Sequence, residues 1–98
     1  MTYPFDIQRY CKLHGYSAEY ATYWLKHPKD EARTGVYASA PHHIRSRGAG
    51  GGDEAANLLA LSWDKHREIE KVGVTQFCER HPWLKEKIEA ALTARRNA

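Results

Sequence analysis

Cysteine is scarce in this chain, with Cys11 and Cys78 the only two and no Cys-x-x-Cys anywhere. A cysteine-built zinc ribbon is thereby excluded, and two thiols so far apart in sequence are expected to stay reduced. Long apolar runs are missing too: nothing approaches the roughly 18–20 residues that cross a bilayer, so no membrane partner is expected. The opening Met1-Thr-Tyr-Pro-Phe-Asp6 has neither the basic nor the apolar region of a secretory leader, which points to a cytoplasmic setting. No G-x-x-x-x-G-K-[ST] occurs, and a G-x-G-x-x-G begun at Gly48 fails where Asp53 stands, so a nucleotide-binding loop is excluded. There is no internal repeat. Net charge is small, +3 with histidines neutral, a mild excess that favours an anionic partner. At 42% hydrophobic and 28% charged, the 98 residues are too apolar for disorder and sufficient for one thin core. The chain therefore reads as one domain, 1–98.

Local signals divide it into three stretches. Residues 1–30 form a helical extension: Asp6 caps a first helix ending at Gly15, and Ser17 caps a second that stops before Pro28. Tyr16, Tyr20, Tyr23 and Trp24 recur at helical spacing and are assigned to the core rather than to base stacking. Residues 31–73 change character. Thr34–Ala40 reads as an edge strand ending at Pro41, followed by the glycine-rich loop Arg45–Asp53 and a second strand over Asn57–Leu61. Ser62 then caps a helix that ends at Gly73. In residues 74–98, Thr75 caps a short helix ending near His81, and Pro82 opens the next. Leu84, Ile88 and Ala91 face the core there, Lys85, Glu86 and Glu89 face solvent, and the tail with Arg95 and Arg96 frays. The fold class is α+β, a small strand–strand–helix core flanked by helices at both ends.

Histidine is where chemistry concentrates. Adjacent residues at a strand end point to opposite sides, so of His42 and His43 one imidazole can bind a metal while the other addresses a water. His66 sits near the start of the downstream helix, and Glu70 follows one turn later on the same face. With an imidazole from the strand, these give three donors able to converge on one divalent ion.

Ala40-Pro-His-His-Ile-Arg45, then Asn57-Leu-Leu-Ala-Leu61, then His66, resembles the HNH, or ββα-metal, endonucleases, in particular compact phage- or prophage-type members. The resemblance covers about residues 36–73 and leaves the flanking helices outside. It implies a ββα-metal core, with His42 as the first metal ligand and His43 as the general base. Asn57 falls on the family's central asparagine, which ties the loop to the strand and orients the catalytic histidine. His66 takes the ligand position on the helix, and Glu70 a further ligand position that some members fill with histidine. Ser62 stands where many relatives carry a zinc-binding cysteine, so the resemblance does not extend to a structural zinc.

The function implied is a divalent-metal-dependent DNA endonuclease that nicks one strand per site and leaves 5′-phosphate and 3′-hydroxyl ends. Arg45, Arg47, Lys65 and Arg67 are the candidate phosphate contacts. Imidazole-rich ligation favours Mn²⁺, Ni²⁺ or Co²⁺ over Mg²⁺, with Zn²⁺ also able to bind. A monomer or weak dimer is expected. Two rival classes are a catalytically silent DNA-binding module of ββα shape and a small helical interaction protein whose histidines bind stray metal.

Overall fold

Leu58, Leu59, Ala60 and Leu61 are completely buried, and this short run is the spine on which the rest of the chain is hung. A computed structural model describes residues 6–93, the side chain of Arg47 excepted; the tail carrying Arg95 and Arg96 lies outside the described residues. Because successive side chains of extended backbone point to opposite faces, the spine feeds two cores. Leu58 and Ala60 pack with Ile7, Cys11, Tyr20, Ala21, Tyr23, Trp24 and Ala38. Leu59 and Leu61 pack with Ala32, Ile44, Ile69, Phe77, Cys78, Leu84, Ile88 and Ala91. An uninterrupted apolar run is what such two-sided burial demands. The two cysteines fall in different clusters as free, buried thiols, and burial pushes both above the ordinary thiol value.

The first core is built by α1 (Ile7–Leu13) and α2 (Ala18–Lys26). Both expected caps are formed. Asp6 accepts from the Arg9 amide at 3.2 Å and Ser17 Oγ from the Tyr20 amide at 3.2 Å. Gly15 adopts φ 74° between the helices, the left-handed geometry that lets the chain reverse. Tyr20, Tyr23 and Trp24 are buried as expected, and Tyr16 is half-buried.

The strands are shorter than the sequence suggested and sit elsewhere. β1 is His42–His43 and β2 is Leu58–Leu59, paired antiparallel with His42 opposite Leu59 and His43 opposite Leu58. The expected edge strand over Thr34–Ala40 is absent, because Asp30 organises that segment as a loop. The Asp30 carboxylate accepts from the Thr34 amide (3.1 Å) and hydroxyl (2.7 Å), while the Asp30 amide donates to the Val36 carbonyl (2.9 Å). A single bridge, Lys29 with Tyr37, is what remains of strand pairing there. Asn57 likewise closes a 3-10 turn, Ala55–Asn57, instead of opening the second strand.

The second core is closed by α3 (Trp63–Val72), α4 (Val74–Arg80) and α5 (Lys85–Thr93). Ser62 holds the N-cap position of α3 without a side-chain capping bond, since it is engaged with Asp30. The cap of α4 is Gly73, at φ 84°, and not Thr75, which lies inside that helix. Pro82 opens a 3-10 turn into α5, and Leu84 of the turn forms one buried face with Ile88 and Ala91 of the helix. A polar node joins the halves: Glu31 accepts from the Ala60 amide at 2.8 Å and from the Tyr23 hydroxyl, and pairs with Lys87 of α5 at 3.4 Å. The result is a helix-rich α+β arrangement with one small antiparallel sheet, whose first strand is the histidine pair itself.

Candidate active site

β1 is a two-residue strand whose exit, at Ile44 and Arg45, is anchored by Asn57. The Ile44 amide donates to the Asn57 carbonyl at 2.8 Å, and the Asn57 side chain crosses to the loop beyond. Its Oδ1 accepts from the Arg45 amide at 2.8 Å; its Nδ2 donates to the carbonyls of Arg45 (3.0 Å) and Gly52 (2.9 Å). Asn57 is 4% exposed, with both amide hydrogens donated and its oxygen accepting, so it clasps the two ends of the Arg45–Asp53 loop. That clasp explains one glycine. A Cβ on Gly51 would stand 1.8 Å from the Arg45 carbonyl oxygen and 2.7 Å from Asn57 Nδ2. No side chain fits where the loop returns on itself.

The loop delivers Asp53 to the histidines. His43 Nε2 and Asp53 Oδ1 are 2.7 Å apart, and Asp53 Oδ2 accepts from the Ser17 amide at 3.1 Å. Burial disfavours the ionised carboxyl, yet the bonds from His43 and Ser17 outweigh it and hold Asp53 below the ordinary carboxylate value. An ionised carboxylate only accepts, so Nε2 must carry the proton in the neutral imidazole. The lone pair then resides on Nδ1, which is the nitrogen of His43 equipped to take a proton from water.

On the other side of β1, His42 Nδ1 lies 3.2 Å from His66 Nε2, with the rings nearly perpendicular at 78°. Burial, reinforced by the neighbouring His66 and His43 rings, pushes His42 down to about 4. It is therefore neutral at neutral pH, the form that ligates metals. Two nitrogens each about 2.0–2.1 Å from one ion lie roughly 2.8–3.4 Å apart, the lower end for an octahedral edge and the upper for a tetrahedral one. The observed separation falls in that interval, and imidazole pairs suit borderline divalent ions. The residues present thus fit two positions of an ion's coordination shell.

Glu70 does not join this pair. It is exposed on α3, and among the described residues no three His, Cys, Asp or Glu side chains form an ion-holding group. The geometry of α3 explains the difference. Four helical steps carry Glu70 about 40° past His66 around the axis, on the side away from buried Ile69, which lies about 60° the other way.

A cleft of about 280 Å³ opens over these groups, lined by Tyr16, Tyr20, Pro41, His42, His43 and His66 among others. The expected phosphate contacts are not gathered at it. An Arg45 guanidinium nitrogen donates to the Leu92 carbonyl at the end of α5 (2.8 Å), Lys65 pairs with Glu68 (2.7 Å), and the Arg47 side chain is outside the description. Arg67 is exposed and lines a separate cleft with Lys71 and Arg80.

Sequence reading missed Asp53, which it weighed only against a phosphate-loop template. The available signal was that the glycine-rich loop after His-His ends on its sole carboxylate. No helix among the described residues is long and apolar enough to cross a membrane. No family model matches the chain, and neither a curated protein nor a solved structure matches it.

Proposed function

We propose that the protein is a divalent-metal-dependent DNA endonuclease with a ββα-metal core formed by β1, β2 and α3. The observation that carries the reading is the division of labour at β1. One histidine faces a second imidazole at ligand-pair distance, while its neighbour is hydrogen-bonded to a carboxylate that leaves Nδ1 basic.

His42 Nδ1 and His66 Nε2 would hold the ion. A bound divalent ion supplies positive charge at the phosphate oxygens, where negative charge accumulates as the bond to the leaving oxygen breaks. His43 Nδ1 takes a proton from the attacking water, whose oxygen forms the new bond to phosphorus as the bond to the 3′ oxygen is broken. Asp53 accepts the Nε2–H bond throughout and stabilises the imidazolium formed in that step. Asn57 keeps the loop carrying Asp53 closed against β1. Strand scission at one site is a nick, so a monomer converts supercoiled plasmid to open circle before any linear product appears.

The test is supercoiled-plasmid relaxation with Mn²⁺, Ni²⁺, Co²⁺, Mg²⁺ or Zn²⁺, and with EDTA. Open circle with at least one ion, abolished by EDTA and by His43→Ala, is the expected outcome; removal of a general base costs on the order of 10²- to 10⁴-fold. Intact plasmid across the whole panel with folded protein overturns it. Salt-dependent DNA binding under the same conditions would instead identify the silent binding module.

A further inference from the structure

The N-terminal helical pair lies outside the stretch on which the nuclease reading was built, yet the first turn of α2 reaches the candidate base in three ways. The Ser17 amide donates to Asp53 Oδ2 at 3.1 Å, across 36 positions of sequence, while the other carboxylate oxygen holds His43. The Tyr20 ring lies along the His43 imidazole, 5.3 Å between centroids at 20°. The Tyr20 hydroxyl donates to the carbonyl of Pro41, the residue that leads into β1. Tyr16 stacks in turn on Tyr20, 4.0 Å between centroids.

A two-residue strand fixes its backbone through few bonds, and a histidine on it keeps two torsional freedoms. Carboxylate and ring contacts remove both: Asp53 selects the tautomer and the Tyr20 face sets the ring plane. We propose that the start of α2 is part of the catalytic apparatus, with the Ser17 amide fixing Asp53 and, together with the Tyr20 ring, positioning His43 as its Nε2–H tautomer. Asp53, Ser17 and Tyr20 are positioning residues; none needs to touch substrate. The proposal rests on the reading of His43 as the general base.

Ser17 offers an unusual test because its φ of −75° suits proline. Ser17→Pro deletes the amide donor together with the Oγ cap, whereas Ser17→Ala deletes the cap alone. Asp53→Ala removes the carboxylate. In nicking assays Asp53→Ala and Ser17→Pro should lower kcat on the order of 10- to 100-fold, as small misplacements of reacting groups do, while KM for plasmid stays within about twofold; Ser17→Ala should fall by much less than Ser17→Pro. The second readout is the imidazole ¹⁵N–¹H spectrum of the metal-free protein. His43 should appear as the Nε2–H tautomer in wild type and lose that pattern in Asp53→Ala. Wild-type kcat in Asp53→Ala, or an unchanged His43 pattern, overturns the proposal. Should Ser17→Pro not fold, Asp53→Ala carries both measurements. A protein that never nicks plasmid defeats the nuclease reading, and the spectra, which need no activity, then decide the positioning of His43 separately.

Discussion

Replacing Asn57 tests the loop clasp most directly, because the two obvious substitutions fail for different reasons. Asn57→Ala leaves three partners behind: the Arg45 amide and the carbonyls of Arg45 and Gly52. An unsatisfied buried donor costs about 1–3 kcal/mol. Arg45 and Gly52 are half-buried, so their carbonyls recover part of their solvation and add less. The sum is about 2–4 kcal/mol. For a domain this small each kcal/mol is worth about 4–8 °C, so the melting temperature should fall by roughly 8–30 °C.

Asn57→Asp keeps the size and the acceptor for Arg45 but turns the donor to two carbonyls into a second acceptor. The introduced carboxylate faces oxygen on two sides, which raises its folded pKa above the unfolded value of about 3.9. A raised acid binds more protons folded than unfolded, so the penalty is full at neutral pH and shrinks as pH falls through the raised value. Thermal unfolding of wild type and both variants at pH 7 and pH 5 checks this. Asn57→Ala melting with wild type, or an Asn57→Asp deficit that does not shrink at pH 5, refutes the clasp.

Other expectations follow from single sites. Gly51→Ala should destabilise at least as much as Asn57→Ala, because its Cβ meets backbone oxygen at 1.8 Å and no rotamer relieves that; a melting curve like wild type would contradict it. Glu70→Ala should give the same metal-titration curve of nicking as wild type, since Glu70 is exposed and outside any ligand group; a rightward shift would restore it as a ligand. His66→Ala should abolish tight binding of Ni²⁺ or Zn²⁺ by calorimetry while leaving the fold intact, because His66 is half-buried and supplies one of two nitrogens; undiminished binding would place the ion elsewhere. Burial opposes ionisation of Asp30, but hydrogen bonds from Ser62 and Thr34 prevail and hold it below the ordinary value. Its contribution is therefore present above about pH 4 and lost as pH falls through the depressed pKa, so the stability gap between wild type and Asp30→Asn should close in acid titrations monitored by circular dichroism.

What the sequence disclosed follows the range of the forces involved. Caps act over three residues, and Asp6 and Ser17 were legible for that reason. Helical spacing predicted the buried face of α5. The run Asn57–Leu61 was legible as extended and apolar, though not as the spine shared by two cores, since periodicity cannot say how many faces are covered. Thr34–Ala40 misled because its Val and Tyr fit a strand, while the carboxylate that makes it a loop, Asp30, lies four residues upstream of Thr34 and also reaches Ser62. The same limit governs the site. His42, His43 and His66 could be assembled from a family-like spacing, and the i, i+4 rule added Glu70, which is exposed, because that rule reports proximity along a helix and not which side of the stripe faces inward.

Asp53 and the start of α2 could not be reached that way. Their contact joins two segments whose approach is set by the burial of Tyr20 and Trp24 against Leu58 and Ala60, far from the histidines in sequence. Any change that loosens that first core, a truncation within α2 included, should therefore disturb His43, whose carboxylate partner is fixed by the Ser17 amide, more than it disturbs His66, which is carried by α3.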